Sequence, residues 1–274
     1  MAADPWETER LDLTGYLARL GIPAREPSRH ALDELHEAHV RTFTFDNIDV
    51  LLEQHPGVGL DAVQAKFAGR GRGGYCFEHA TIVAAALQRL GYDVVRHLGR
   101  VGDPAAGTQQ GRSHMVVEVR LDGRRLLCDP GFGMGLLRPA PLTDGAESDQ
   151  DGWPYRVVSA GDGLWGLQRY REAGWELAHT TDEFEVKPID IVMSHHYTST
   201  FPGIHFRSGL MVGKHLPGRH VMVTHQTVTV RSPGEPTEHR ALRDGELAEW
   251  LRVLEVPLTA DEEARLLERV AALG

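Results

Sequence analysis

The spacing of the apolar residues changes along the chain and divides it into three parts. Over 13–20 apolar side chains recur at helical spacing, and Gly21 follows as a stop signal. The same pattern predicts a second helix that Ser28 caps and a third over 77–90 that ends at Gly91. The first ninety residues or so are therefore predicted to be helical.

From Val94 onward apolar and polar residues alternate, which is the period of a half-buried strand. The segments SHMVVEVRL and RRLLCD flank Asp122 and Gly123, a pair typical of a two-residue hairpin turn. Shorter strands are predicted near 155–159, 164–170 and 175–179. The middle of the chain is therefore predicted to be β structure.

The last part of the chain mixes both patterns. Pro188 opens a short helix, two strands follow, and two helices close the sequence. Thr259 and Glu262 have the spacing of a capping box for the last helix. The sequence thus predicts an α+β fold with three units: a helical unit over 1–91, a β unit over 92–187 and a mixed unit over 188–274.

Composition and charge exclude several classes of protein. The chain has 274 residues, of which 41% are hydrophobic and 25% charged, and no apolar run approaches the ~20 residues of a membrane span. Its net charge of -10 argues against a nucleic-acid partner, which needs a basic face. The acidic start is unlike a signal peptide, and two cysteines form no disulfide framework. These features predict a cytoplasmic globular protein with neither a nucleic-acid partner nor a membrane.

One of the two cysteines, Cys76, follows the glycines of RGGYCFEHA and lies at the first turn of the third predicted helix. The unpaired N–H groups at a helix start favour a thiolate over a thiol, so this position suits a nucleophile. A small buried hydrophobic residue is the alternative interpretation of any single cysteine. A base within reach of the sulfur is needed to decide between the two.

The predicted hairpin supplies that base. A two-residue turn pairs Val116 with Asp129, so His114 lies on the same face of the sheet as Asp129, at roughly 5 to 8 Å between β-carbons. A three-residue loop would put them on opposite faces. An imidazole oriented by a carboxylate is an effective base towards a thiol. This pairing distinguishes His114 from the other fourteen of the fifteen histidines.

Other motifs are weaker. The glycines at 69, 71 and 74 match a dinucleotide-binding spacing but follow no convincing strand. His36 and His39 are one residue short of the metalloprotease spacing, and no other histidines follow a metal-binding pattern, so a metal site is disfavoured. Asn47, the sole asparagine, precedes Cys76 and so lacks the order of a papain-like triad.

With these residues identified, the chain resembles the arylamine N-acetyltransferases over nearly its whole length. The resemblance rests on six blocks in the family's order: YLARLGI, LHEAHVRTFTFDNIDVLLE, RGGYCFEHA, SHMVVEV, CDPGFG and STFPGIHF. It implies an N-terminal helical bundle, a central β-barrel and a C-terminal α/β lid around a Cys-His-Asp core like that of cysteine proteases. It also implies a ping-pong reaction in which acetyl-CoA acylates the cysteine and an arylamine or hydrazine nitrogen takes the acetyl group.

The same resemblance implies roles for individual residues. Cys76 would be the nucleophile, His114 its base and Asp129 the orienting anion. Phe45, Phe132 and Phe206 would line the acceptor pocket, and Gly131 and Gly133 would let CoA pass close to the backbone. Arg72 is expected to pair with Asp46 and hold the turn before Cys76.

Departures from the family's pattern leave the substrate open. Five residues differ from the usual ones of the family's blocks, and none of them belongs to the triad: Asp46, Ala80, Pro130, Phe201 and Ile204. Ansamycin amide synthases resemble the same family and accept an acyl chain bound to a carrier protein, so an acyl carrier protein is an alternative partner. A cysteine hydrolase and a binding protein with an inert thiol are two further alternatives.

Overall fold

The protein is described by a computed structural model, which covers residues 4–102 and 111–273. Helices fill most of the first ninety residues, as the sequence predicts. After a 3-10 turn over Thr8–Arg10, they are α1 (Leu13–Leu20), α2 (Arg29–Thr42), α3 (Ile48–Leu51), α4 (Leu60–Gln64), which continues as a π turn over Ala65–Gly69, and α5 (Cys76–Arg89). A short strand, β1 (Phe45–Asp46), lies between α2 and α3.

The three predicted helices are present, with the expected end signals. Gly21 ends α1 at a φ of 72°, and the Ser28 hydroxyl accepts a hydrogen bond from the Ala31 N–H at 3.2 Å. The third helix, α5, starts at Cys76, one residue before the predicted range. It is buried along most of its length and packs against the adjoining strands, so its first turn has a fixed place in the core.

The middle of the chain forms one antiparallel sheet of eight strands that nearly closes into a barrel. Its spatial order is β5-β4-β3-β2-β9-β8-β7-β6. The strands are β2 (Asp93–Val101), β3 (His114–Leu121), β4 (Arg124–Cys128), β5 (Ala140–Pro141), β6 (Glu147–Asp149), β7 (Pro154–Gly161), β8 (Leu164–Arg171) and β9 (Gly174–Thr181). In this order β5 is the first strand and β7 the seventh. These two strands also lie in contact, which brings the ends of the sheet together.

The predicted hairpin register is confirmed. Leu121 faces Arg124 and Val117 faces Cys128 across β3 and β4. The turn residues Asp122 and Gly123 have positive φ values of 50° and 72°, as a two-residue type I′ turn requires.

The last part of the chain combines a second sheet with four helices. The sheet has the order β1-β10-β11-β12-β13, so a strand from the N-terminal part completes it. Its other strands are β10 (Met211–Leu216), β11 (Arg219–Thr224), β12 (Thr227–Arg231) and β13 (Glu238–Ala241), and the helices are α6 (Pro188–Thr200), α7 (His205–Ser208), α8 (Glu246–Val253) and α9 (Ala260–Ala271). Thr259 and Glu262 form the predicted capping box of α9.

The unit boundaries at residues 91 and 187 stay a prediction. Within the part of the chain that the structure describes, no helix is both long and apolar enough to cross a bilayer.

A buried cluster of charges supports the turn before Cys76. Lys66 lies 2.8 Å from an oxygen of Asp49 and 2.7 Å from one of Glu78. Arg72, which is fully buried, pairs with Asp49 at 3.0 Å, so the expected Arg72–Asp46 pair is wrong. Asp46 instead accepts hydrogen bonds from the Thr44 hydroxyl and the Ile48 N–H at the start of α3, and Arg72 acts on its carboxylate only as a nearby charge.

We expect Lys66→Met to destabilise the protein by about 3 to 5 kcal/mol, because it leaves the buried Glu78 carboxylate without its lysine. Burial raises the pKa of Glu78, but Lys66 and His55 lower it to about 2. The stabilisation is therefore present at neutral pH and is lost as the pH falls towards the lowered pKa. Urea unfolding of both proteins at neutral and acidic pH measures the difference.

Lys187→Met is the matched control, because Lys187 is exposed and its pair with Glu185 spans 4.0 Å. We expect it to change the free energy of unfolding by less than about 0.5 kcal/mol. Equal effects of the two substitutions would contradict a stabilising role for Lys66.

Candidate functional site

Cys76 occupies the first position of α5 and is 4% exposed. The turn before it runs directly against β1, where the Gly74 N–H donates to the Thr44 carbonyl at 3.2 Å. A β-carbon at Gly73 would lie 1.8 Å from that carbonyl oxygen, so only glycine fits there. The glycines of RGGYCFEHA therefore allow two backbone segments to touch, and this contact fixes the start of α5.

Glu78 connects the start of α5 to the buried charges. Its carboxylate accepts the N–H of Tyr75 at 3.1 Å, which satisfies one of the backbone donors before the helix. The same carboxylate pairs with Lys66 and lies 3.2 Å from His55 Nε2. The helix that presents Cys76 is thus held at its first turn by a charged side chain that is itself fully paired.

The structure brings His114 and Asp129 to the same place as Cys76. The Nε2 atom of His114 lies 3.1 Å from Oδ1 of Asp129, as the hairpin geometry predicts. The Cys76 side chain lies within hydrogen-bonding reach of the His114 ring, and its Sγ is also 3.5 Å from the Ser113 carbonyl oxygen. Because Nε2 faces the carboxylate, Nδ1 is the ring nitrogen that remains for the sulfur.

The electrostatics of these groups favour a charged imidazole. Burial lowers the pKa of His114, but the negative charge of Asp129 and hydrogen bonds to Asp129 and Cys76 raise it above its usual value. Burial likewise raises the pKa of Asp129, and the two histidines beside it, His114 and His179, bring it well below its usual range. Asp129 is therefore ionised and His114 can hold a proton at neutral pH.

His179 is the residue of this site that the sequence analysis misses. It lies in β9 and is fully buried, with Nε2 2.9 Å from Oδ2 of Asp129. No local pattern connects residues 129 and 179, because they meet only through the pairing of β2 with β9. The predicted strand over 175–179 contains His179 but gives no sign of its partner.

Three side chains of this site are of kinds that bind metal ions. Ligand atoms of His114, Asp129 and His179 all lie within 4.8 Å of one another. Each carboxylate oxygen of Asp129, however, already accepts a hydrogen bond from an imidazole. The arrangement is that of a hydrogen-bonded network, and no step of the chemistry below uses a metal.

The three phenylalanines assigned to the acceptor pocket lie in two groups. The rings of Phe45 and Phe206 have centroids 6.2 Å apart, and Phe206 is 5.4 Å from Tyr75, the neighbour of Cys76. Phe132 contacts His114 instead, at 5.1 Å between ring centroids. One group therefore adjoins the residue before Cys76, and the other adjoins His114.

Asn47 fixes the segment that carries Phe206. Its side-chain amide donates to the carbonyls of Phe206 and Gly209, both at 2.7 Å, and its oxygen accepts the Met211 N–H at 2.8 Å. The sole asparagine of the chain thus has a structural role, in agreement with its exclusion from the triad.

The histidines of the HEAH segment also have structural partners. His36 Nδ1 lies 2.8 Å from the Leu137 carbonyl oxygen, and His39 is hydrogen-bonded between the Tyr16 hydroxyl and His79. Gly69 ends a π turn and Gly71 follows it, so the strand that a dinucleotide-binding loop requires is missing before them.

Comparisons with known proteins identify the family. The N-acetyltransferase family model matches residues 30–261. The arylamine N-acetyltransferase of Mycolicibacterium smegmatis is 35% identical over 211 residues, which are 74% of this chain and 76% of that protein. The chain belongs to the arylamine N-acetyltransferase family. It is therefore an acetyltransferase.

Solved structures of arylamine N-acetyltransferases have the same fold. The enzyme from Mycobacterium abscessus superimposes with a TM-score of 0.89 at 32% identity, over 97% of each chain. That from Mycobacterium marinum in complex with CoA gives a TM-score of 0.88 at 28% identity, over 96% of this chain and 99% of that one. The predicted family and the α+β fold class with a central barrel are thereby confirmed.

The two glycines assigned to CoA have different surroundings in this family member. A β-carbon at Gly131 would lie 2.7 Å from Cys76 Cα and 3.0 Å from His79 Cβ. One at Gly133, which has a φ of 83°, would lie 3.2 Å from the Phe45 ring. Gly131 thus permits close packing against the start of α5, and its role towards CoA stays a prediction, as does that of Gly133.

We expect Gly131→Ala to lower arylamine acetylation by roughly 10- to 100-fold, because the added methyl displaces the backbone of Cys76. Gly59→Ala is a matched control, since a β-carbon at Gly59 meets no atom within 4 Å and its φ is -65°. Initial rates of both variants measure the effect. A Gly131→Ala enzyme as active as Gly59→Ala would show that the site tolerates this displacement.

Proposed function

We propose that the enzyme transfers the acetyl group through a thioester on Cys76, with His114 as its base and Asp129 as the group that orients His114. The observation that carries this proposal is the position of one imidazole between a helix-start thiol and a buried carboxylate. The acceptor is the nitrogen of an arylamine or a hydrazine. The two half-reactions follow one another in ping-pong order.

In the first half-reaction, His114 accepts the proton of the Cys76 thiol and the sulfur attacks the carbonyl carbon of acetyl-CoA. The bond between this carbon and the CoA sulfur breaks, and the His114 imidazolium returns the proton to CoA. The charge of Asp129 stabilises the imidazolium while it exists. The products are free CoA and acetylated Cys76.

In the second half-reaction, the neutral amine nitrogen attacks the thioester carbon. His114 accepts a proton from this nitrogen, the bond to the Cys76 sulfur breaks, and the proton returns to the sulfur. The product is the acetylated amine. Because the same base serves both steps, its orientation affects both rates.

We assign Phe45, Phe132 and Phe206 to the acceptor pocket and Gly131 and Gly133 to the passage of CoA. Support for the aromatic residues comes from their contacts with Tyr75 and His114. A flat aryl ring stacks on such side chains with about 0.5 to 1.5 kcal/mol each beyond burial. Support for the glycines comes from the resemblance of CDPGFG to the family's block.

The proposal is tested by intact-mass measurement after mixing the enzyme with acetyl-CoA. We expect the mass to rise by one acetyl group, and we expect this group to leave as acetylated amine when an arylamine is added. Loss of the acetyl group to water at the same rate with and without amine would indicate a hydrolase. An enzyme that never carries the group while it still acetylates amines would contradict the thioester.

The second candidate function is that of an amide synthase, which differs in its acyl donor. It is favoured by exposed apolar side chains on and after α6, such as Met193 at 65% and Phe201 at 50% exposure, which suit a long apolar acyl chain. This candidate predicts slow turnover of acetyl-CoA and rapid loading of Cys76 from an acyl chain bound to an acyl carrier protein. A donor screen with the same mass measurement distinguishes the two.

A further inference from the structure

The Asp129 carboxylate is held from two sides. His114 Nε2 lies 3.1 Å from Oδ1, and His179 Nε2 lies 2.9 Å from Oδ2. All three side chains are buried, with 2% of His114 and none of Asp129 or His179 exposed. The two imidazole rings have centroids 4.7 Å apart.

The hydrogen-bonding chemistry fixes the proton on His179. An ionised carboxylate only accepts hydrogen bonds, so the Nε2 atom of His179 must carry a hydrogen. Its Nδ1 atom is buried and has no hydrogen-bond partner among the described residues. His179 is therefore a neutral donor whose only polar partner among them is the carboxylate.

The surroundings of His179 agree with a neutral ring. Burial lowers its pKa; Asp129 raises it, whereas His114 and Arg169 lower it further, and the net shift is downward. The remaining ring contact is with Phe132, at 5.3 Å between centroids. A second positive charge beside the His114 imidazolium is thus avoided.

A glycine in the strand between the two histidines makes this arrangement possible. Gly99 of β2 faces His114 of β3 on one side and Thr181 of β9 on the other. His179 lies two residues before Thr181 and so points to the same face of the sheet. A β-carbon at Gly99 would lie 2.3 Å from the Thr180 carbonyl oxygen, so the glycine lets β9 pack closely against β2 and places His179 on the same face as His114.

We propose that His179 is a positioning residue for acyl transfer, which holds Oδ2 of Asp129 so that Oδ1 faces Nε2 of His114. This inference rests on the proposed function of Cys76, His114 and Asp129. His179 acts only through Asp129. Without this donor one oxygen of a buried carboxylate has no partner, and the carboxylate can turn away from His114.

Alkylation of Cys76 by iodoacetamide over a range of pH tests the proposal without any acyl donor. We expect His179→Phe to slow alkylation at neutral pH by roughly 10- to 100-fold, since hydrogen bonds to charged groups contribute at this level. We also expect the pH below which alkylation falls to move upward, because a poorly oriented imidazolium stabilises the thiolate less. His179→Gln keeps an N–H donor and should restore most of the rate and the original pH profile.

His36→Phe is the matched control. His36 is equally buried and also has one ring nitrogen without a partner, but its other nitrogen contacts the Leu137 carbonyl. We expect it to lower the midpoint of thermal unfolding without moving the pH profile of alkylation. A His179→Phe enzyme with the wild-type profile, or a His179→Gln enzyme no better than His179→Phe, would overturn the proposal.

Nitrogen NMR of wild-type histidines gives a second test that does not depend on a variant folding. We expect His179 to be neutral with its hydrogen on Nε2. A hydrogen on Nδ1, or an imidazolium at neutral pH, would overturn the proposal. A wild-type enzyme that is never acetylated by acetyl-CoA would instead contradict the proposed function, and the alkylation and NMR results would still decide the role of His179.

Discussion

The enzyme with Cys76→Ala should release no CoA from acetyl-CoA above background and should gain no acetyl mass, with arylamine acetylation reduced by at least about 10⁴-fold. The physical reason is that the proposed reaction forms the thioester on the Cys76 sulfur, and no other thiol lies at the start of α5. Steady-state rates and intact mass measure the two effects.

Cys128→Ala is the control for loss of a thiol. Cys128 lies fully buried in β4, and burial raises its pKa well above the usual value, which keeps the sulfur protonated and unreactive. We expect this variant to keep the acyl-enzyme and most of the turnover. Substantial turnover by the Cys76→Ala enzyme would contradict the assignment of the nucleophile. Loss of turnover in a folded Cys128→Ala enzyme would contradict it as well.

His114→Gln has the second largest expected effect, a loss of about 10²- to 10⁴-fold in acyl transfer. In the wild-type enzyme the pKa of His114 is raised, so the ring keeps its proton at neutral pH and can stabilise a thiolate on Cys76. Alkylation of Cys76 should then stay fast from neutral to mildly acidic pH and fall only where the pair takes up a proton.

Glutamine at 114 cannot become a cation, so this plateau should disappear and alkylation should rise only in alkaline solution. His97→Gln is a suitable control, because His97 is also a buried barrel histidine beside a carboxylate, with Nε2 3.0 Å from Glu118. It should keep the plateau. A plateau that survives in His114→Gln would show that another group stabilises the thiolate.

Local sequence predicts the central geometry of this site because that geometry is itself local. The turn at Asp122 and Gly123 fixes the register of β3 and β4, and the register places His114 beside Asp129. The start of α5 at Cys76 likewise follows from neighbouring glycines and the apolar pattern behind them.

Contacts between distant segments are missed for the opposite reason. The pairing of Arg72 with Asp49 depends on how the short helix α3 is placed, and a two-residue strand such as β1 has too few positions to show a period. The sheet that contains β1 joins residues 45 and 213, which no pattern within either segment specifies.

The amino-acid sequence alone determined the helix-start cysteine, the hairpin register and the resemblance that names the family, since each depends on residues close together in the chain. Only the tertiary structure decided that β9 lies beside β2 and that His179 therefore reaches the free side of Asp129. Pairing between strands as far apart in the chain as β2 and β9 depends on the packing of the whole barrel. The energy of that packing is distributed over many side chains, so no single motif specifies it.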